Sequence, residues 1–184
     1  MRVIAGEFRS RRIESLPGIE VRPTPDRMRE TLFNILSDVV PGTTFVDAYA
    51  GTGAVGIEAL SRGAGHVFFL EKNKAALELI RANLKSLGVL GRTSVIPGAA
   101  LKELGKLRPE IVFLDPPFLM EKEYGIALAV LAKNAPKVVI AQHASRFDPG
   151  DKHGALKRYR VVKQGDNSLS FFRSDAAAVE SSES

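Results

Sequence analysis

Apolar residues fall along this chain in two alternating patterns, compact blocks of three to five and stripes spaced three and four apart. The blocks predict buried strands and the stripes amphipathic helices. Residues 2–13 alternate loosely around Gly6, which predicts a short β-hairpin or arm. Thr24-Pro25 then reads as a helix start, a hydroxyl cap before proline at the first helical position. Met28, Leu32, Ile35, Leu36 and Val39 continue the stripe to Pro41-Gly42. Phe45-Val46 predicts a strand, Ala54 to Ser61 a helix ending near Gly63, and Val67 to Leu70 a second strand. Ala76, Ile80, Leu84 and Leu87 share one helical face, closed by Gly88. Ser94-Val95-Ile96, a short helix over Leu101 to Leu107, a strand over Ile111 to Leu114, a helix over Ile126 to Ala132 and a strand over Lys137 to Ala141 follow. Lys157 to Val162 and Leu169 to Arg173 read as two strands around Gly165-Asp166-Asn167. Such alternation implies a parallel sheet with helices on both faces. The last two strands are too close for a crossover and should form an antiparallel hairpin.

Composition narrows the chemistry. A length of 184 residues favours a single domain with a sound core. Cysteine is absent, which excludes disulfides, thiolate zinc sites and a cysteine nucleophile, and fits a reducing, cytoplasmic compartment. His66, His143 and His153 are dispersed without ligand spacing and read as surface or strand-end residues rather than metal ligands. No apolar run reaches membrane-spanning length, and the first residues lack a signal peptide's apolar core. The net charge is +5, but the last eleven residues hold Asp175, Glu180 and Glu183 with no base, so the body is more basic than that figure. Arg2, Arg9, Arg11 and Arg12 crowd the start, and Lys157, Arg158, Arg160 and Lys163 form a second basic group.

Two motifs carry candidate chemistry. Asp115-Pro116-Pro117-Phe118 leaves the C-terminal end of an apolar strand, so an acid, two φ-fixing prolines and an aromatic ring share one turn. That set suits a flat ring bearing an exocyclic amine. Asp47-Ala48-Tyr49-Ala50-Gly51-Thr52-Gly53-Ala54-Val55-Gly56 follows the first sheet strand and opens a helix, with Glu71 at the end of the next strand. Gly51, Gly53 and Gly56 satisfy a dinucleotide fingerprint, and an NAD-type site is one reading. Asp47 argues against it, because a carboxylate before the first glycine repels a pyrophosphate and welcomes an ammonium or sulfonium. S-adenosylmethionine offers both cations, and a ribose for Glu71.

With these motifs in view, the chain resembles the bacterial RsmD-type methyltransferases. The resemblance lies in Asp47 through the glycine turn to Ala64, in Glu71, and in Asp115 to Phe118. It extends to the segment from Arg22 to Asn34 and the closing stretch from Gly165 to Phe172. It implies a single Rossmann-like, S-adenosylmethionine-dependent methyltransferase domain. The expected architecture is a mostly parallel seven-stranded sheet with a C-terminal antiparallel hairpin and a short N-terminal β-hairpin arm. The boundaries expected are 1–24 for the basic arm, 25–173 for the methyltransferase domain and 174–184 for a disordered acidic tail.

The resemblance further implies methylation of the exocyclic amine of a guanine in small-subunit ribosomal RNA, with an assembled or partly assembled subunit as partner and a monomeric enzyme. Asp115, Pro116, Pro117 and Phe118 are the expected catalytic set: Asp115 and the Pro116 carbonyl accept the amine hydrogens, Pro117 stiffens the turn and Phe118 stacks on the base. Asp47, Ala50, Gly51, Thr52, Gly53, Glu71, Lys72 and Ala99 are the expected cofactor set, and no metal is expected. Arg9, Arg11, Arg12 and Arg22 are the expected RNA contacts. Gly98-Ala99-Ala100 and Gln142-His143 stand where relatives often carry polar or acidic residues, and neither is expected to touch the catalytic motif. Action on DNA adenine or a protein glutamine, or an NAD-binding oxidoreductase, are the competing readings.

Overall fold

The strand–helix alternation is realised as eight strands and five α-helices among the residues described by this computed structural model, which are 1–15, 24–117 and 119–174. Arg22, Phe118 and the tail beyond Ser174 lie outside them. The chain divides into two compact units, Met1–Ala100 and Leu101–Ser184.

In the first unit, α1 (Asp26–Ile35) begins one residue later than the cap signal implied. Pro25 takes the N-cap position with ψ 143°, and no side chain caps the helix; Thr24 is buried instead. The helix also stops before Pro41, so Val40 rather than Val39 enters the core. Three parallel strands follow in the order β3-β2-β1: β1 (Thr44–Asp47), β2 (His66–Glu71) and β3 (Thr93–Pro97). Between them, α2 (Ala54–Ser61) is buried on every side. The helix α3 (Lys74–Leu87) is capped at both ends, by the Asn73 side chain accepting from Ala76 N and by left-handed Gly88. Asp47 pairs with Phe69, so Asp47 and Glu71 both reach the C-terminal edge of this sheet.

The N-terminal arm is the short hairpin expected: Val3 N donates to Arg11 O at 3.0 Å, Ser10 N to Val3 O at 2.9 Å and Ile13 N to Met1 O at 2.9 Å, around an antiparallel bridge between Arg2 and Arg12. The body of its own unit holds it as well. Glu58, wholly buried on α2, accepts from Ile4 N at 2.9 Å and Ala5 N at 3.1 Å. Phe8 N donates to Ser61 Oγ, and Glu14 N to Asn83 Oδ1. Val3, Phe8 and Ile13 are buried. Arg29, also fully buried, donates to the Arg2 carbonyl at 2.7 Å and lies 3.7 Å from Glu58, while Arg62 pairs with Glu58 at 3.0 Å. Two guanidiniums and two amides thus offset the cost of burying one carboxylate.

In the second unit, the short α4 (Ala100–Leu104) precedes β4 (Ile111–Leu114), α5 (Lys122–Ala132), β5 (Val138–Ala144), β6 (Lys152–His153), β7 (Leu156–Gln164) and β8 (Asn167–Ser174). The strand order is β4-β5-β8-β7-β6. Strands β4 and β5 are parallel, and β7 and β8 form the expected antiparallel hairpin. The eighth strand, β6, corrects the seven expected: two residues pairing with Leu156 and Lys157 leave no periodic signal.

Candidate active site

One candidate site, in the first unit, is a glycine turn clasped by two carboxylates. Gly51 and Gly53 take positive φ of 53° and 77°, where a side chain would be strained. A Cβ on Gly56 would run into the Phe69 ring, so this helix turn can lie against β2 only as glycine. Asp47, 2% exposed, accepts from Gly56 N at 2.9 Å. Burial raises its pKa from 3.8 to about 7; the Gly56 amide opposes that rise and the nearby Glu71 charge adds to it. Glu71 Oε2 accepts from Gly51 N at 2.8 Å, and Oε1 from the amides of Lys72 and Asn73. The acid expected to take ribose hydroxyls therefore first ties the turn to the end of β2, and Oε2 keeps a second lone pair for a ligand.

Ala50 N donates to Leu70 O, and Gly53 N to Ala50 O, which brings Ala50, Gly51 and Gly53 to the same strand edge as Asp47, Glu71 and exposed Lys72. Thr52, half-buried, lies within that turn. Gly98 N donates to Glu71 O, bringing the backbone before exposed Ala99 to this edge. A rigid cradle with left-handed glycines and two acids fits the adenosine, ribose and cationic parts of S-adenosylmethionine. It suits a pyrophosphate poorly.

A second candidate site, in the second unit, is built on β4. Its four residues are fully buried, so Asp115 is the first polar side chain at the strand's end. Asp115 Oδ2 accepts from Gln142 Nε2 at 3.0 Å, and Gln142 is 4% exposed on the neighbouring β5. This overturns the expectation that Gln142-His143 stands clear of the catalytic motif. Leu114 pairs with Ala141, and the next residue of each strand meets its neighbour. Tyr124 on α5 donates to the Gln142 carbonyl at 2.5 Å; burial, then the charges of Asp115 and Glu121, raise the Tyr124 pKa and keep that proton in place. Among the described residues the buried Gln142 Oε1 atom has no hydrogen-bond partner.

Pro116 is buried and Pro117 exposed, and the Pro117 carbonyl accepts from Met120 N, closing a tight turn. Burial lowers the His143 pKa, and its two ring nitrogens meet the Ala144 carbonyl and Ser170 Oγ. Among the described residues no cluster of acids and histidines could hold a metal. Arg9, Arg11 and Arg12 are exposed, with Arg11 donating to the Ser86 carbonyl at 3.0 Å.

Gln142 and Tyr124 were not anticipated as site residues. The signal for Gln142 was its place one residue past an apolar run, level with Asp115.

Comparison with known proteins gives these two sites a context. A protein of Escherichia coli strain K12 named "Ribosomal RNA small subunit methyltransferase D" is 40% identical over 120 residues. That stretch is 64% of this chain and 60% of the relative, less than two thirds of the relative's length. The protein of that name from Haemophilus influenzae is 39% identical over 123 residues, 64% of each chain. Among solved structures, the Escherichia coli protein yhhF, described as a candidate methyltransferase, superposes with TM-score 0.83 at 27% identity, covering 96% of this chain and 98% of that one. An RNA methyltransferase from Salinibacter ruber, solved with S-adenosyl-L-homocysteine, shares the fold at TM-score 0.67 and 18% identity, covering 83% of this chain and 94% of that one. The architecture is therefore the α/β Rossmann-like methyltransferase fold, mostly parallel with a C-terminal antiparallel hairpin. The model described as "Conserved hypothetical protein 95" matches residues 1–173, and the chain belongs to that family, the family of the RsmD-type methyltransferases that its motifs resemble.

Proposed function

We propose that this protein transfers a methyl group from S-adenosylmethionine directly to the exocyclic amine of a guanine in small-subunit ribosomal RNA. The observation that carries the cofactor is the glycine turn clasped by Asp47 and Glu71, since two carboxylates favour a cationic ligand over a pyrophosphate. The names of the relatives support ribosomal RNA as the acceptor.

Bound there, S-adenosylmethionine supplies an electrophilic methyl group on a sulfonium. Asp47 offsets the ligand's positive charge, Glu71 Oε2 accepts a ribose hydroxyl, and Ala50, Gly51, Thr52, Gly53, Lys72 and Ala99 line its path. The guanine amine is a weak nucleophile because its lone pair is delocalised into the ring. Asp115 accepts one amine hydrogen and the Pro116 carbonyl the other, which turns the lone pair toward the methyl group and offsets charge growing on nitrogen. Pro117 holds the turn and Phe118 stacks on the base, which must be unpaired or flipped out to reach it.

Residues 1–24 serve as the arm and 25–173 as the catalytic domain of a cytoplasmic monomer that acts on an assembled or partly assembled subunit. Arg9, Arg11, Arg12 and Arg22 meet phosphates.

The test is incubation with labelled cofactor and small subunits from cells lacking the protein, then mapping of the modified nucleotide. Label on a guanine amine is expected; label on another base, or none, overturns the reading. Calorimetry separates the oxidoreductase alternative, since binding of NAD alone would reverse the cofactor assignment. Asp115→Ala should lower turnover about 100- to 1000-fold with cofactor affinity kept; near-normal turnover would remove Asp115 from the mechanism.

A further inference from the structure

Strands β7 and β8 carry Lys157, Arg158, Arg160, Lys163 and Arg173 and not one carboxylate. Arg158 is already paired, with Asp148 at 2.6 Å and with Asp151. The others divide by face. Residues opposite each other in a ladder point the same way, as do alternate residues of one strand. Lys157 stands opposite Arg173 and Arg160 opposite Phe171, so Lys157, Arg160 and Arg173 share the Phe171 face. Among the described residues none of these three forms an ion pair.

An aromatic ring stands among them. The register shifts between Arg158 and Arg160, leaving Tyr159 as the extra residue of a bulge, the device that re-aims a side chain. Its ring lies 6.2 Å from that of Phe171, with the Arg173 guanidinium 4.8 Å from its centroid. Tyr159 nonetheless remains 43% exposed. The outer edge of β7 needs some charge to deter edge-to-edge pairing, because β6 covers it only at Leu156 and Lys157. That need is met by any charged side chain. It does not call for an aromatic ring beside an arginine on the sheet's face.

We propose that this face of the β7–β8 hairpin binds the single-stranded RNA flanking the target base, with phosphates on Lys157, Arg160 and Arg173 and one base on Tyr159. Unpaired cations around an open ring are what a sequence-tolerant single-strand site requires. The position also suits it. Phe113, Ile140, Phe171 and Arg160 form one row across β4, β5, β8 and β7, so the patch begins at Arg160, three strand spacings across from Asp115 and two residues before its level. That is roughly 16 Å at the usual spacing and rise, a few nucleotides of extended strand. The inference rests on the reading of the chain as an RNA methyltransferase.

The test uses the full chain and a labelled oligouridine of about 12 nucleotides, within the span of single-strand sites, titrated over a salt series. Replacing Lys157, Arg160 and Arg173 together by alanine should lower the slope of log affinity against log salt by about 2, from about 0.7 per phosphate on a single strand. Tyr159→Leu should weaken binding about tenfold with the slope kept, the loss of one stacked base. Tyr159→Phe should bind like the parent, which separates loss of the ring from loss of the fold. If the triple variant does not fold, Arg160→Ala alone should still lower the slope by about 0.7. Parent-like slope and affinity in the folded variants overturn the proposal. So does unchanged RNA binding with lost binding of polyglutamate, which would assign the face to an acidic protein. Failure of the parent protein to methylate small-subunit RNA would instead remove the broader reading, whereas normal methylation with unaffected variants removes the hairpin site alone.

Discussion

At the scale of single residues, Asp47 and Gln142 carry the most consequence. Burial holds the Asp47 pKa near 7, and a sulfonium or ammonium beside it stabilises the ionised form. Cofactor affinity should therefore rise as pH climbs through about 7 and level off above it, and Asp47→Asn should bind weakly with a flat profile; calorimetry across pH 6 to 8 reads both. The same shift has the opposite sign for the free protein. Its pKa moves from 3.8 to about 7, so between those values the folded chain holds a proton that the unfolded chain has released. Stability from this group thus falls as pH rises through that window. Gln142 fixes Asp115 through Oδ2, and Gln142→Leu keeps the volume while removing the bond. Turnover should drop about ten- to hundredfold, the worth of a hydrogen bond to a charged group, with cofactor affinity unchanged. Asp115 was legible as an acid after an apolar strand. Its partner was not, because a strand register has to be known before one residue past β5 can be set beside one residue past β4.

At the scale of elements, strands and helices with strong periodicity read true from the sequence. Ala54–Ser61 and the stripe closed by Gly88 fall where expected, since apolar spacing and a left-handed glycine are local signals. The arm read true only in part. Its loose alternation suggested self-pairing, which Val3, Ser10 and Ile13 make across the hairpin. The amides of Ile4, Ala5, Phe8 and Glu14 instead bond to Glu58, Ser61 and Asn83, residues far along the sequence with nothing local to announce them. Glu58→Ala should cost about 3–5 kcal/mol, because Arg29 is left buried beside two unpaired amides; a urea titration measures it. Glu58→Gln should recover part of that loss by still accepting from one amide. A midpoint unchanged in Glu58→Ala would mean that the arm adds nothing to stability.

At the scale of the whole molecule, the order of events in folding follows from how far apart the arm's partners lie. Contacts across 53 to 69 residues carry a large closure entropy and tend to form after the rate-limiting step. Glu58→Ala should then speed unfolding far more than it slows refolding, a difference that stopped-flow kinetics resolves. Function was legible at this scale in the glycine turn and the Asp115 motif, and the nature of the acceptor came from family resemblance rather than from geometry.

The buried carboxylate of Glu58 also sets a timetable for synthesis. Residues 1–15 are translated before the side chains that receive them, at 58, 61 and 83, which follow roughly 3 to 15 seconds later at typical elongation rates. During that interval Val3, Phe8 and Ile13 are apolar residues without a core. Residues 1–15 are thus among the last parts to become native, although they are made before their partners.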